Sequence, residues 1–252
     1  MQKNKKNKKN TKIEFSLIHL LIFFIVVGFI SIAVITTTKI YQETRVKNLV
    51  KEMSTVRHAT NMFLGYYKQY PGDYQMAGKH IVSTVGGNGN GKIEWPKESM
   101  HSFVQLVNGH FLDLDLVKNS DMMRTVRLSF NKDSCFQPMV HPSSDKGNAM
   151  DGHAVQENGD MDYPVTVIGL DGKHAGNNCN GAMFYPSIVE DLDKKIDDGK
   201  PFSGEFRIRL IRGFVYPPVM SGVFGDDCVD NLSRIYNSYG KKKSCNLMFR
   251  AD

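Results

Sequence analysis

The sequence lacks the short motifs that mark the common enzyme classes. It contains no G-x-S-x-G, no H-E-x-x-H, no Walker A motif and no dinucleotide fingerprint, each of which sets a nucleophile, metal or phosphate in a fixed backbone geometry. Serine, histidine and aspartate residues are present, but they are scattered without the pattern of a catalytic triad. We therefore predict a protein that is not an enzyme and that uses no cofactor.

Beyond its N-terminus the chain also lacks net charge. Six of its 32 basic residues are lysines within the first twelve positions. The remaining 26 basic residues equal the 26 acidic ones, so residues 13–252 are neutral although the whole chain carries +6. Binding to nucleic acid requires a basic surface on the folded domain. We therefore expect no nucleic-acid partner.

Cysteine is scarce, and no two of the four cysteines are close in sequence. Zinc sites use closely spaced pairs of ligands, so this spacing favours disulfides over a metal centre. Four cysteines permit three connectivities, and free buried cysteines are the alternative. We prefer Cys228–Cys245, which closes a short C-terminal loop, and this leaves Cys135 and Cys179 for the longer one.

Other metal-binding patterns are weak, and we predict no metal site. Residues 86–93 can be aligned with a calcium-binding loop, but Gly86 and Lys97 stand where that loop requires acidic ligands. We interpret the glycine-rich residues 86–91 as a turn and Asp197-Asp198 as a solvated helix cap. Three histidines lie near the cysteines in sequence and are interpreted as ordinary solvated side chains: His141, His153 and His174.

One long hydrophobic run is present at the N-terminus. Phe15–Ile35 contains 21 residues without a formal charge, and a helix needs about 20 apolar residues to cross a bilayer. We predict a basic leader over 1–14 and a transmembrane helix over 15–36, with a buried core helix or a cleaved secretory signal as alternatives. The positive-inside rule places the lysine-rich end in the cytoplasm and the rest of the chain beyond the membrane.

The helical pattern continues past the hydrophobic run, because no glycine or proline interrupts Phe29–Leu64. Residues 37–70 are predicted to form an amphipathic continuation that ends near Pro71-Gly72. We interpret its apolar face as a packing surface, formed by Ile40, Leu49, Val50, Met53, Val56, Met62, Phe63 and Tyr66.

Residues 71–252 mix short elements and are predicted to form the exported globular domain. The patterns indicate helices over 96–110 and 187–198, strands over 122–130 and 204–212, and a loop over 141–161. The predicted fold class is α+β, with the long N-terminal helix packed on an antiparallel β-sheet and with long disulfide-bearing loops.

The segment from Phe15 to Gly28 resembles the N-terminus of type IV pilins and type II secretion pseudopilins. In that family a basic leader precedes phenylalanine, a small hydroxyl residue, Leu-Ile and an unbroken apolar helix, as in Phe15-Ser16-Leu17-Ile18. Four later features resemble alphaproteobacterial, particularly rickettsial-type, pilin-like proteins: residues 66–74 with their Pro-Gly-Asp turn, residues 88–95, residues 195–201 and the C-terminal cysteine pair.

Two positions depart from the pattern of that family. Its leader peptidase cuts after glycine, but Glu14 precedes Phe15 here, so we predict that most of the protein keeps its leader. The family carries a glutamate where this chain has His19, and an imidazole cannot supply that carboxylate. We interpret His19 as a residue facing the membrane interface, with a functional intramembrane residue as the alternative.

The resemblance implies a pilin-like or pseudopilin-like subunit of a type IV pilus or type II secretion filament. Its implied location is the bacterial inner membrane, as a single-pass protein whose C-terminal domain is periplasmic or extracellular. The implied partners are the lipid bilayer, other pilin-like subunits through Phe15–Ile35, and the prepilin peptidase. The alternative function is a membrane-anchored periplasmic binding or enzymatic domain that does not assemble.

Overall fold

The structure is a computed structural model. The chain divides into two compact units, Met1–Arg45 and Val46–Asp252, and the boundary falls within the helix α1 (Leu17–Tyr67). The residues that the structure describes are 17–118, 124–130, 133–141, 163–170, 181–208, 228–230, 233 and 235–252.

Helix α1 is 51 residues long. Its length follows from the absence of glycine and proline over most of its course, because these are the residues that interrupt helices most strongly. The helix ends at Tyr67, a few residues before the predicted end at Pro71-Gly72. Lys68 adopts a φ of 57°, and its backbone N–H still donates to the Leu64 carbonyl at 2.8 Å.

The prediction of a membrane-spanning segment over 15–36 is wrong for the part of the chain that the structure describes. None of the described helices is both long enough and apolar enough to cross a membrane. The part of the predicted fold class that required a long N-terminal membrane helix is therefore wrong for the described residues.

The other part of the predicted fold class, an α+β fold with an antiparallel sheet, is confirmed. Six strands form one sheet in the order β1-β2-β3-β4-β8-β5, every neighbouring pair is antiparallel, and β6 and β7 form a separate hairpin. The strands are β1 (Leu116–Lys118), β2 (Arg124–Arg127), β3 (Ser134–Phe136), β4 (Val165–Leu170), β5 (Phe206–Ile208), β6 (Val229–Asp230), β7 (Ile235–Tyr236) and β8 (Leu247–Arg250).

The last strand of the chain lies inside the sheet. Leu247 of β8 is opposite Ile168 of β4 on one side and Ile208 of β5 on the other. All three of these side chains are buried. The C-terminus therefore completes the sheet and joins two segments that are distant in sequence.

Within the described residues, three shorter helices follow α1: α2 (Ala77–His80), α3 (Lys97–Asn108) and α4 (Pro186–Ile196). The predicted helices over 96–110 and 187–198 are confirmed with their ends shifted by two residues or fewer. Proline suits the first position of α4, because its missing N–H would have no helical partner there. Asp197 leaves the helical backbone, with φ −141° and ψ −135°.

Each predicted strand contains an observed strand, and residues 122–123 of the first pattern lie outside the described residues. The pattern over 122–130 becomes β2, because Leu128 is already part of the turn toward β3, where its N–H donates to the Ser134 carbonyl at 2.9 Å. The pattern over 204–212 contains β5, and residues 209–212 lie outside the described residues. Residues 142–161 of the predicted loop also lie outside them.

The second unit has one main hydrophobic core, to which α1 contributes from Val46 onward. Leu49, Met53, Val56 and Phe63 are buried at the predicted helical spacing and belong to the same cluster as residues of the sheet. The prediction was wrong for Ile40, Met62 and Tyr66, which are 64%, 50% and 73% exposed. Met62 and Tyr66 lie on the side of the helix that the core does not cover.

Polar contacts connect the same part of α1 to the C-terminal strand. The Arg57 guanidinium donates to the Arg250 carbonyl from Nε at 3.3 Å and from Nη2 at 3.2 Å. Its Nη2 also lies 3.1 Å from a Glu205 carboxylate oxygen. Just beyond the helix, the Tyr70 hydroxyl donates to Asp252 at 2.9 Å. These contacts position the end of the chain against the helix.

Candidate functional site

The start of α1 carries a continuous exposed apolar surface, which we call the apolar segment (Leu17–Ile32). Its large hydrophobic side chains are exposed by between 42%, at Val27, and 83%, at Leu17. They occupy every side of the helix rather than one stripe, and a helix that is apolar all round is normally buried. Exposed apolar patches of this kind mark binding surfaces.

Polar groups are few in the apolar segment. The Ser31 hydroxyl donates to the Val27 carbonyl at 2.8 Å, so its hydrogen bond is formed within the helix. His19 is exposed on the segment. The predicted peptidase junction, Glu14 and Phe15, lies outside the described residues. The segment therefore offers apolar contact over nearly all of its surface.

The structure contains the predicted Cys228–Cys245 disulfide, with a Cα–Cα distance of 5.2 Å. Both residues are fully buried. Cys135 is also disulfide-bonded, and its predicted partner, Cys179, lies outside the described residues. The Cys228–Cys245 disulfide connects the start of β6 to the start of β8, and so connects the hairpin to the main sheet.

Asp73 of the Pro-Gly-Asp turn organises a loop that we call the glycine loop (Gly86–Lys92). Asp73 is fully buried. One of its carboxylate oxygens accepts the N–H groups of Gly89 at 2.7 Å and Asn90 at 3.0 Å, and the other accepts that of Gly91 at 2.9 Å. In the sequence this turn is marked only by its resemblance to pilin-like proteins, and no sequence pattern predicts this role of Asp73.

Glu98 of α3 holds the same loop from its other end. Its two carboxylate oxygens accept the N–H groups of Asn88 at 2.7 Å and Glu94 at 2.9 Å. Burial, together with the charges of Asp73 and Glu94, raises the pKa of Glu98 above its ordinary value, while the two backbone hydrogen bonds act in the opposite direction. Backbone amides of the loop thus occupy the oxygens of both carboxylates, as in a structural turn.

His141 is a core residue, not the solvated histidine that was predicted. It is 1% exposed. Its Nδ1 accepts the Ile93 N–H at 2.8 Å, and its ring packs 4.9 Å from that of Tyr70. His153 and His174 lie outside the described residues. The histidine therefore helps to position the residue that follows the glycine loop.

Three aspartates come together at the C-terminal end of α4, and we call them the acidic cluster (Asp193, Asp197 and Asp198). One carboxylate oxygen from each lies within 4.8 Å of the others. Asp197 is half-buried and accepts the Phe206 N–H at 2.9 Å, so the prediction of a fully solvated cap is wrong for this residue. Asp198 is exposed, as predicted.

Asp193 is the buried member of the acidic cluster. One of its oxygens, Oδ2, accepts the Tyr236 hydroxyl at 2.6 Å. Burial, together with the charges of Asp198 and Asp197, raises the pKa of Asp193 to about 6, while the Tyr236 hydroxyl and the Gly199 amide act in the opposite direction. Burial and the contact with Asp193 raise the pKa of Tyr236 far above its ordinary value.

Sequence reasoning missed Asp193, although a signal was present. It stands four residues after the buried Val189, on the face of α4 that the helical period turns toward the core.

The chain offers two features that contacts within the described residues do not explain, the apolar segment and the acidic cluster. Comparisons of the chain with models of protein families, with curated proteins and with solved structures found no match.

Proposed function

We propose that the protein is a non-enzymatic, pilin-like filament subunit that assembles through the apolar segment. The observation that carries the proposal is the continuous exposure of large apolar side chains from Leu17 to Ile32. The same segment of another copy is apolar on all sides too, so a bundle of copies covers it in each subunit. The resemblance of Phe15–Gly28 to the pilin and pseudopilin N-terminus supports the same assignment.

The energetics favour assembly by this surface. Complete burial of a leucine, isoleucine or phenylalanine side chain contributes about 1.5–3 kcal/mol relative to leaving it in water. The segment presents such side chains along its whole length, including Ile22, Phe24 and Ile30, which are 52–63% exposed. Several of them buried together offset the translational and rotational entropy that association costs.

The second unit supports a role outside the cytosol. It carries the buried Cys228–Cys245 disulfide, and structural disulfides persist mainly in oxidising compartments. Its α+β fold packs the remaining part of α1 on an antiparallel sheet, as the sequence patterns predict. The proposed subunit thus has one assembling segment and one disulfide-bonded domain.

Site-specific photocrosslinking in cells tests the proposal. A photoreactive phenylalanine analogue replaces Phe24, which is 63% exposed within the apolar segment. We expect irradiation to produce a ladder of covalent multimers that contain only this chain, because neighbouring copies contact the segment. The matched control places the analogue at Tyr239, an aromatic residue that is 94% exposed in the second unit.

The control separates assembly from random collision. We expect no multimer ladder from position 239, and we expect the ladder from position 24 to disappear when Ile25→Lys is added. A monomeric product at position 24, or crosslinks only to lipid or to other proteins, would refute the proposed function.

A further inference from the structure

The geometry of the acidic cluster goes beyond the proposed function. One carboxylate oxygen from each of Asp193, Asp197 and Asp198 lies within 4.8 Å of the others. Within the part of the chain that is described, this is the one group of three histidine, cysteine or acidic residues arranged so closely. Carboxylates at this distance repel each other, and the repulsion is stronger where burial removes water.

The second observation is an oxygen without a partner. Asp193 is 0% exposed, and no donor meets its buried Oδ1 atom with hydrogen-bond geometry, although the Gly199 amide lowers the pKa of the carboxyl group. The other oxygen already accepts the Tyr236 hydroxyl. Burying a polar atom of a carboxyl group without a partner is costly, and native proteins rarely leave such an atom unpaired without a reason. A bound cation would supply the missing partner.

Neighbouring groups hold the three carboxylates of the cluster in place. The Asp197 carboxylate lies so close to Gly204 that a Cβ there would be 1.8 Å from Oδ2. Asp198 accepts the Lys200 N–H at 2.9 Å and the Ser203 hydroxyl. The ammonium of Lys194 is 2.6 Å from Glu190, so this lysine is paired outside the cluster. The hydrogen bond from Ser203 lowers the pKa of Asp198, and the backbone N–H and the charge of Lys200 lower it further, while burial acts in the opposite direction.

We propose that Asp193, Asp197 and Asp198 bind a calcium ion. The ligands are all carboxylate oxygens, which suit a hard cation, whereas zinc sites use mainly histidine and cysteine. Calcium accepts irregular sets of oxygens, while magnesium demands near-octahedral geometry. Exposed Asp198 leaves one side of the ion open to water ligands. The ion ties the end of α4 to the turn before β5 and, through Tyr236, to the β6–β7 hairpin.

Isothermal titration of the full-length, chelator-treated and dialysed protein with CaCl2 tests this site. We expect one ion per chain, with a dissociation constant of about 10⁻⁴–10⁻³ M, the range of extracellular calcium modules. We expect weaker binding of MgCl2. Asp198→Asn should weaken calcium binding at least tenfold, and Asp193→Asn should do the same.

The control variant is Asp191→Asn, an exposed aspartate of α4 outside the cluster, which should bind calcium like the wild type. Near-UV circular dichroism of Asp198→Asn should match that of the wild type, because this side chain is exposed and its loss leaves the core intact. Absence of binding up to about ten times the expected dissociation constant, unchanged affinity in Asp198→Asn, or tighter binding of magnesium than of calcium would each overturn the proposal.

Discussion

Buried carboxylates determine the conformation of the glycine loop at the scale of single residues. Asp73 and Glu98 together accept five backbone N–H groups from Asn88, Gly89, Asn90, Gly91 and Glu94. Backbone donors in a loop that lacks regular secondary structure must find other acceptors, and charged acceptors form the stronger hydrogen bonds. Two side chains thereby replace the hydrogen bonds that a helix or strand would provide.

The raised pKa of Glu98 predicts a pH dependence of stability. The ordinary pKa of this carboxyl group, which applies to the unfolded chain, is 4.5, so the folded protein holds the proton on Glu98 more tightly than the unfolded chain does. The contribution of Glu98 to the free energy of unfolding therefore falls as the pH rises from about 4.5 through the raised pKa. Glu98→Gln removes that contribution and adds a pH-independent cost, because an amide presents one acceptor instead of two. The stability advantage of the wild type over the variant should therefore shrink between about pH 4.5 and pH 7.

Urea unfolding followed by the fluorescence of Trp95, the single tryptophan, measures this difference at both pH values. The control is Asp133→Asn, which changes an exposed carboxylate and should show no such change relative to the wild type. An advantage over Glu98→Gln that stays constant or grows as pH rises would contradict the prediction.

At the scale of elements, two glycines illustrate opposite requirements. Gly87 lies against the Pro-Gly-Asp turn, and a Cβ there would be 2.4 Å from the Gly72 carbonyl oxygen and 2.5 Å from the Asp73 Cα. Both neighbours are backbone atoms, so the loop cannot accommodate a methyl group without moving. Gly65 lies near the end of α1, and a Cβ there would meet nothing within 4 Å.

Alanine at these two positions should change stability in opposite directions. Gly87→Ala should lower the free energy of unfolding by about 1–3 kcal/mol, the usual cost of overpacking. Gly65→Ala should raise it by about 0.5 kcal/mol, because alanine is the better helix former. Urea unfolding of both variants beside the wild type provides the measurement. A stable Gly87→Ala variant would mean that the loop does not pack on the turn in solution.

At the scale of the whole molecule, the Cys228–Cys245 disulfide links the β6–β7 hairpin to the main sheet. The two cysteines are 17 positions apart in the sequence. A crosslink over a loop of about 15 residues stabilises a protein by about 3 kcal/mol through the entropy of the unfolded chain. The double variant Cys228→Ala, Cys245→Ala should therefore lose about 3 kcal/mol in urea unfolding under oxidising conditions. Iodoacetamide without reductant should leave Cys228 and Cys245 of the wild type unalkylated. If the double variant loses less than about 1 kcal/mol in its free energy of unfolding, this account is contradicted.

The predictions from sequence succeeded where the signal was local. The spacing of Leu49, Met53, Val56 and Phe63, which are four, three and seven residues apart, identified the buried face of α1, and the pattern around Val189 and Leu192 identified α4. Helical periodicity brings such residues to one face without any distant partner. The preference for Cys228–Cys245 likewise depended only on a short separation along the chain.

The predictions failed where a partner is distant in sequence. Met62 and Tyr66 fit the apolar pattern of α1 but remain exposed, because the core covers only part of the circumference of the helix. His141 is buried because it meets Ile93, which is 48 positions away. The hydrophobic run of residues 15–36 predicted a membrane span, and no described helix fulfils that prediction.

The sequence alone predicted the long helix, the buried face of its later half and the α+β class, because periodicity is a local property of the chain, and it favoured the Cys228–Cys245 pairing because this pairing closes a short loop. The position of β8 between β4 and β5, the burial of Asp73 under the glycine loop and the hydrogen bond between Tyr236 and Asp193 depend on the tertiary structure. No periodicity marks these arrangements, and the free energy that selects them comes from packing and hydrogen bonds that exist only once the chain has folded.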